Sequence, residues 1–470
     1  MGKLTFLDKL KSKAYSLWGV KPEFRLKVFY LTLTFLLMSA CLAIWRPLKV
    51  SIFAKIVGSE FVPDAKLYGL IFLIPLILFY SKLVDWLRRH QLVYVFTLFH
   101  ACGGLLFYYL LAHPVYGIAN TDMSSTRLVG WFFYFFMESF NAFLSTVFWS
   151  FADSINNPKD AKNYYGIFVS GSKIGSIISA GLLYLSLTMI PNTRDHVLLP
   201  NSLLIGSLLL FGAAVSIYFL MKKVPGYYMH GYEAVYQEEK KHDKEKLSFW
   251  KTIKSSVDGL IIMLRNPYVL GIFALVLIYE IIIVIFDYRV LRTADSAHPT
   301  VGSLTAFYAL YYLLMNSVGL VISIFGTTPI LRLLGIRIVL FIFPLSCLGI
   351  LITAFFFPYA WVLFAALVGL RALNYALNHP TREVLYIPTV KAIKFKAKAW
   401  TDAFGSRTAK GCGSVFNISL KQTAPALALL YSISFSLGLV SIWLIVVYFL
   451  GKTLQNAIDN KTVIGKEDNQ

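Results

Sequence analysis

Apolar runs of about 20 residues, separated by short polar links, recur along the chain. Each is long enough to cross the hydrocarbon core of a bilayer as a helix. The pattern predicts spans near residues 28–45, 67–83, 92–112, 129–152, 164–187 and 203–221. A second set is predicted near 268–288, 304–324, 339–356, 360–377, 399–420 and 427–450. The longest polar interval separates the two sets. This gives an amphipathic N-terminus (1–27), a six-helix half (28–221), a central segment (222–267), a second six-helix half (268–450) and a polar tail (451–470). The predicted fold is an all-α polytopic membrane protein of about twelve transmembrane helices. Two six-helix halves are typical of transporters built from parallel repeats, although no repeat is visible by residue identity.

Polar residues inside these runs are the informative exceptions. Span four carries Glu138 and Asn141 within an aromatic run. A carboxylate facing lipid there would cost about 2.5–3.5 kcal/mol, so Glu138 is expected to face the bundle interior. Span one ends in Arg46, Pro47, Leu48 and Lys49, where Pro47 is expected to break or kink the helix and leave both cations near the membrane edge. Span five repeats Gly171, Gly175, Ser179 and Ser172, Ser176, Ala180 every four residues, the spacing of close helix packing, and adds Lys173. Span seven holds Glu280 and Asp287, and span ten holds Arg371 and Asn374. In span eleven Lys398, Asp402, Gly405, Ala409 and Gly413 form one stripe if the segment is a regular helix. Such a stripe lines a wet path or packs on neighbouring helices.

Composition supports the membrane reading: 57% of the 470 residues are hydrophobic and 14% charged, and mean hydropathy is +0.65. A soluble domain is nearer a quarter charged. The net charge of +20 would suggest nucleic acid in a soluble protein. Here basic links account for most of it, and no nucleic-acid partner is expected. Lys and Arg concentrate in the N-terminus, the second, fourth, eighth and tenth links, the central segment and the tail. Both ends are therefore expected in the cytoplasm. No signal-peptide or transit-peptide pattern precedes the first span, which favours a bacterial plasma (inner) membrane.

The four cysteines lie in apolar spans and are expected to be small buried hydrophobes, with no disulfide. There is no Walker-type phosphate loop, no zinc-protease motif and no nucleophile elbow, so no cofactor, metal or catalytic residue is expected. What remains is a set of opposite charges in the spans, the kind that marks a substrate or ion path. Lys and Arg there favour an anion bearing phosphate or carboxylate groups. Glu138 and Glu280 would hold those cations when the site is empty, or carry a coupling proton. Lys173 is either a site residue or a partner of Glu138.

The Asp-then-Arg-Arg link between spans two and three resembles the major facilitator superfamily. The stretch HPTREVLYIPTVKAIKFKAKAWTDAFGSRTAKGCGS, residues 379–414, carries a more specific likeness. It resembles the ATP/ADP translocases of obligate intracellular bacteria and plastids, the nucleotide transporter family. The family pattern there is approximately DPTKEMAYIPL, a spacer, then KGKAAIDVVGSRLGKSGGS. MESFNAFLSTVFWSFADS, YEIIIVIFDYR and the Pro47–Lys49 tripeptide resemble further family stretches. The family's helix-one Lys, helix-four Glu, helix-seven Glu and later Lys match Lys49, Glu138, Glu280 and Lys398. The chain departs from the pattern at Val50 and His379, where acidic residues are usual, and at Lys173, where an uncharged residue is.

The resemblance implies a nucleotide transporter embedded in the bilayer, with ATP exchanged for ADP by alternating access as the leading expectation. The alternative is a proton-coupled importer of nucleotides, NAD or another organic anion. A membrane-embedded enzyme or lipid-handling protein is the remaining class. The expected substrate-binding set is Arg46, Lys49, Glu138, Lys173, Glu280, Arg371, Asn374, Lys398 and Asp402. The oligomeric state is open, with a monomer sufficient for the fold.

Overall fold

The computed structural model describes residues 20–156, 158–190, 194–229, 260–325, 327–390, 393, 397–460 and 462–465. The amphipathic N-terminus (1–27) and the central segment (222–267) fall mainly outside the described residues. The end of the 451–470 tail also falls outside them.

The chain forms α1 (Arg25–Phe53), α2 (Val62–Trp86), α3 (Arg89–Ala112), α4 (Leu128–Ile155), α5 (Pro158–Met189) and α6 (Asp195–Lys223). After the central segment come α7 (Pro267–Ala297), α8 (Val301–Phe325), α9 (Thr327–Phe356) and α10 (Ala360–Leu373). A π-turn, Asn374–Asn378, leads from α10 into α11 (His379–Leu385). A short turn, Lys398–Trp400, and a second π-turn, Thr401–Gly405, precede α12 (Ser406–Ser419), and α13 (Pro425–Asp459) ends the helical order. Among the described residues the β-structure is a single bridge, Thr389 to Ile464. Among the described residues nine stretches have the length and hydropathy to span a membrane, and the first, Pro22–Val84, takes in α1 and most of α2. α4 and α12 are not among the nine; they carry the polar residues singled out above. The protein is an all-α, multi-pass membrane protein.

Contacts divide the chain into two compact units. The first holds the described parts of Met1–Gly58, Phe72–Lys246 and Pro299–Leu313; the second holds those of Ser59–Ile71, Leu247–His298 and Leu314–Gln470. The start of α2 thus clusters with the second unit and the start of α8 with the first. Within the first unit α1 packs on α4, α5 and α6, and α3 packs on α4 and α6. Within the second, α7 packs on α10, α12 and α13, and α9 packs on α10 and α13. These are the same five pairings counted from the start of each half. The repeat that residue identity hides is present as packing.

Helix α1 is the hub of the first unit. Its Trp45 is fully buried, and a Cβ at Gly206 of α6 would lie 2.1 Å from its indole nitrogen. Lys27, 2% exposed, donates to the backbone oxygens of Ile155 at 3.1 Å and Tyr228 at 3.0 Å, tying the start of α1 to the end of α4. The four-residue stripes of α5 do pack closely. A Cβ at Gly175 would sit 2.6 Å from the Leu36 carbonyl oxygen, and Ser39 and Ser172 share a hydrogen bond of 2.9 Å.

Two expectations are corrected. Pro47 does not end α1, which continues to Phe53 and gives way to a π-turn, Ala54–Gly58, that closes on Gly58 with φ of +126°. Neighbouring helices and side chains can satisfy the groups a proline frees in a membrane helix, so a proline inside such a helix need not end it. Arg46 and Lys49 therefore lie within the last two turns of α1, not past its end. Among the cysteines, Cys41 and Cys347 are buried, but Cys102 and Cys412 are exposed on the helix surface.

The close α1–α5 contact predicts opposite outcomes for two glycines. Gly175→Ala forces backbones apart and should cost about 1–3 kcal/mol, seen as a lower unfolding temperature in detergent. Gly438→Ala, where nothing lies within 4 Å of the added Cβ, should be neutral or mildly stabilising.

Candidate functional site

In the first unit, α1 and α4 run antiparallel and present two rungs of polar contacts. Lys49 Nζ donates to Glu138 Oε2 at 2.6 Å, with side chains only 15% and 16% exposed. The same ammonium lies 4.8 Å from the centre of the Tyr134 ring. One turn away Arg46 meets Asn141: its Nε donates to Asn141 Oδ1 at 3.1 Å and its Nη2 donates to the same oxygen. The guanidinium carbon lies 5.8 Å from the centre of the Tyr312 ring on α8. Lys173, half-buried on α5, is near enough for its charge to repel that of Arg46. Arg46, Lys49, Lys173 and Glu138 together carry three positive charges and one negative. The residues flanking them on α1 and α4 are mainly apolar, so each cation keeps a strong field.

In the second unit the charges gather in two places. Asp287 of α7 accepts from Arg371 Nη2 of α10 at 3.3 Å, and Lys66 of α2 stands 3.8 Å from the same oxygen. Lys398 donates to Glu383 of α11, and its ammonium lies 5.4 Å from the Tyr386 ring. Beside them Arg382 donates to Asp402 at 3.3 Å. Asn374 accepts from Asn378 at 2.8 Å within its π-turn. Glu280 is half-buried on α7 and makes no ion pair among the described residues. The expectation that Glu280 holds the cations is thus not met in this structure. Glu383 of α11 stands beside Lys398, fifteen residues on, so the neutralising carboxylate is local in sequence.

The expected stripe of span eleven is divided by the second π-turn. Gly405, Ala409 and Gly413 pack on α7: a Cβ at Gly413 would lie 2.9 Å from Val284, and Ala409 is fully buried with Ile281 and Ile285. Thr401 is fully buried while Asp402 turns outward, its side chain 40% exposed. The small residues pack on α7, and the charges gather at the other end of the segment. Sequence reasoning passed over Glu383 and Tyr312, and did not place Asn141 in the site set. Glu383 is adjacent to Arg382, and the acidic-after-basic pair in the motif was its only signal.

Helix order and hydropathy define a multi-pass membrane protein with half-buried charge pairs. Solved transporters share the fold alone: a bacterial homologue of the iron transporter ferroportin, in an inward-facing state, superposes with a TM-score of 0.60. Identity is 16%, covering 90% of this chain and 98% of that one, in the major-facilitator type of architecture. The family model for the TLC ATP/ADP transporter matches residues 6–454, and the chain belongs to that family. Among its relatives, ADP,ATP carrier protein 3 of Rickettsia felis is 22% identical over 496 residues, covering 93% of this chain and 96% of its own. ADP,ATP carrier protein 1 of Chlamydia muridarum is 24% identical over 462 residues, covering 86% and 83%.

The Lys49–Glu138 contact predicts a non-additive stability cycle. Glu138→Gln leaves an ammonium unneutralised among apolar helices and should cost about 3–5 kcal/mol. Adding Lys49→Met should recover most of that loss. Thermal unfolding of the two variants in detergent checks it.

Proposed function

We propose that the protein exchanges ATP for ADP across a membrane by alternating access. The observation that carries this reading is the Lys49–Glu138 ion pair, because it joins the two residues that match the family's helix-one Lys and helix-four Glu. Lys49, Arg46, Lys398 and Arg371 contact phosphates. Glu138 and Glu383 neutralise Lys49 and Lys398 when no nucleotide is present; Lys173 in the first unit, and Asn374 and Asp402 in the second, add polar groups near these pairs. A phosphate oxygen and a carboxylate oxygen compete for the same ammonium, so binding substrate means releasing the internal partner. Breaking an ion pair with nothing to replace it is costly, and this couples reorientation to loading. Family membership and the names of the relatives support the nucleotide assignment.

The working unit is two six-helix halves, 28–221 and 268–450, in a bacterial inner membrane with both termini in the cytoplasm. Bacterial relatives and basic cytoplasmic links support that placement. A second reading, proton-coupled import of nucleotides, NAD or another organic anion, is favoured by Glu280, a half-buried carboxylate without a cation partner among the described residues.

Uptake of labelled ATP into proteoliposomes separates the two. Exchange requires internal ADP and is indifferent to an imposed proton gradient. Import into empty vesicles driven by the gradient supports the second reading. Competition by ADP, but not by NAD or simple carboxylates, identifies the substrate class. Lys398→Ala should lower the exchange rate by about 10–100-fold, the equivalent of one charged hydrogen bond of about 1.5–3 kcal/mol.

A further inference from the structure

The two rungs between α1 and α4 look alike in sequence spacing, yet they differ in charge. Lys49 faces a carboxylate. Arg46 faces a neutral amide, and it has no carboxylate partner among the described residues. The amide also fixes which donors are occupied. A guanidinium has five N–H groups. Nε and one N–H of Nη2 are committed to a single oxygen, Asn141 Oδ1. The opposite edge, Nη1 with the second N–H of Nη2, is the planar fork that matches two oxygens of a phosphate. The Tyr312 ring lies beside the guanidinium and restricts it further. Arg46 is therefore oriented but not neutralised.

We propose that Arg46 is the first acceptor of the substrate's phosphate and that Asn141 is its positioning residue, holding one edge of the guanidinium so that the other meets the anion. This deepens the nucleotide-exchange reading and rests on it for the identity of the ligand. An amide at position 141 is needed for a charge reason as well as a geometric one. A carboxylate there would make the same hydrogen bonds but would neutralise Arg46, duplicating the closed Lys49–Glu138 rung. Incoming phosphate would then find the cations of both rungs already paired. In the observed arrangement it engages Arg46 without breaking any ion pair, and the exchange of partners at Lys49 follows.

The test compares Asn141→Asp, Asn141→Leu, Arg46→Gln and Arg46→Lys in the full-length protein. Binding of inorganic pyrophosphate and of ADP to the detergent-purified protein is measured, together with unfolding temperature and the KM and kcat of exchange. Asn141→Asp is expected to weaken pyrophosphate binding at least tenfold and to raise KM, while unfolding temperature holds or rises. Asn141→Leu, which keeps Arg46 unneutralised, is expected to bind better than Asn141→Asp despite lower thermal stability. A merely structural role for Asn141 gives the reverse order, and that result overturns the proposal. Arg46→Gln and Arg46→Lys are each expected to weaken pyrophosphate binding at least tenfold. Wild-type affinity in Asn141→Asp or in either Arg46 variant also overturns the proposal. Wild-type protein that binds pyrophosphate in this pattern but neither binds nor exchanges ADP leaves the anion subsite standing and removes the nucleotide reading.

Discussion

A full charge among apolar helices must be neutralised or hydrated, and this constraint shapes both units. Lys49 is held by Glu138, Lys398 by Glu383, and Arg371 by Asp287. Each contact joins two chain segments, so the pairs fix helix positions as well as charge. The strength of such a pair depends on how far water is kept out: Lys49 and Glu138 are 15% and 16% exposed, whereas Lys398 and Glu383, at 30% and 38%, stay partly wet. Trp45 is fully buried beside the Arg46 rung, and the small residues of α5 bring its backbone against α1. The same logic explains the lower cost of a different anion. A phosphate that replaces a carboxylate at an ammonium exchanges one charged hydrogen bond for another.

Most of the fold was legible because membrane helices have a simple requirement. About 20 apolar residues suffice, and the backbone satisfies itself within each segment. The small-residue stripes of α5 and α12 were legible for the same geometric reason, since only small side chains let helices approach this closely. The fate of Pro47 was less legible. Proline predicts a break, but its effect depends on which neighbours take up the freed backbone groups, and here α1 continues to Phe53. The π-turns at Ala54–Gly58, Asn374–Asn378 and Thr401–Gly405 were invisible, since they alter helical phase without altering hydropathy; the last of them bears on the site. That phase change turns Asp402 toward Arg382 and away from the Gly405, Ala409 and Gly413 stripe. The repeat of packing between the halves was hidden because it depends on helix order and side-chain volume, which diverge less than residue identity.

The site residues divided along a similar line. Lys49 and Glu138 stood out because each is a charge inside an apolar run, and the structure brings them together. Glu280 stood out for the same reason, yet no cation meets it among the described residues, while Glu383 neutralises Lys398 from a segment the hydropathy pattern treats as a link. Asn141 is uncharged and drew less weight than Glu138, although its neutrality gives the Arg46 rung its different character. Sequence spacing identifies which charges are costly. It does not identify which partner relieves each cost.

The central claim is that internal ion pairs hold the unloaded protein and that only substrate replaces them. The most direct measurement is efflux of labelled ADP from preloaded proteoliposomes into nucleotide-free buffer at equal pH on both sides. The account predicts negligible efflux, followed by rapid release when unlabelled ATP is added outside. Equal efflux with and without external nucleotide would contradict it, because the empty site would then reorient as readily as the loaded one.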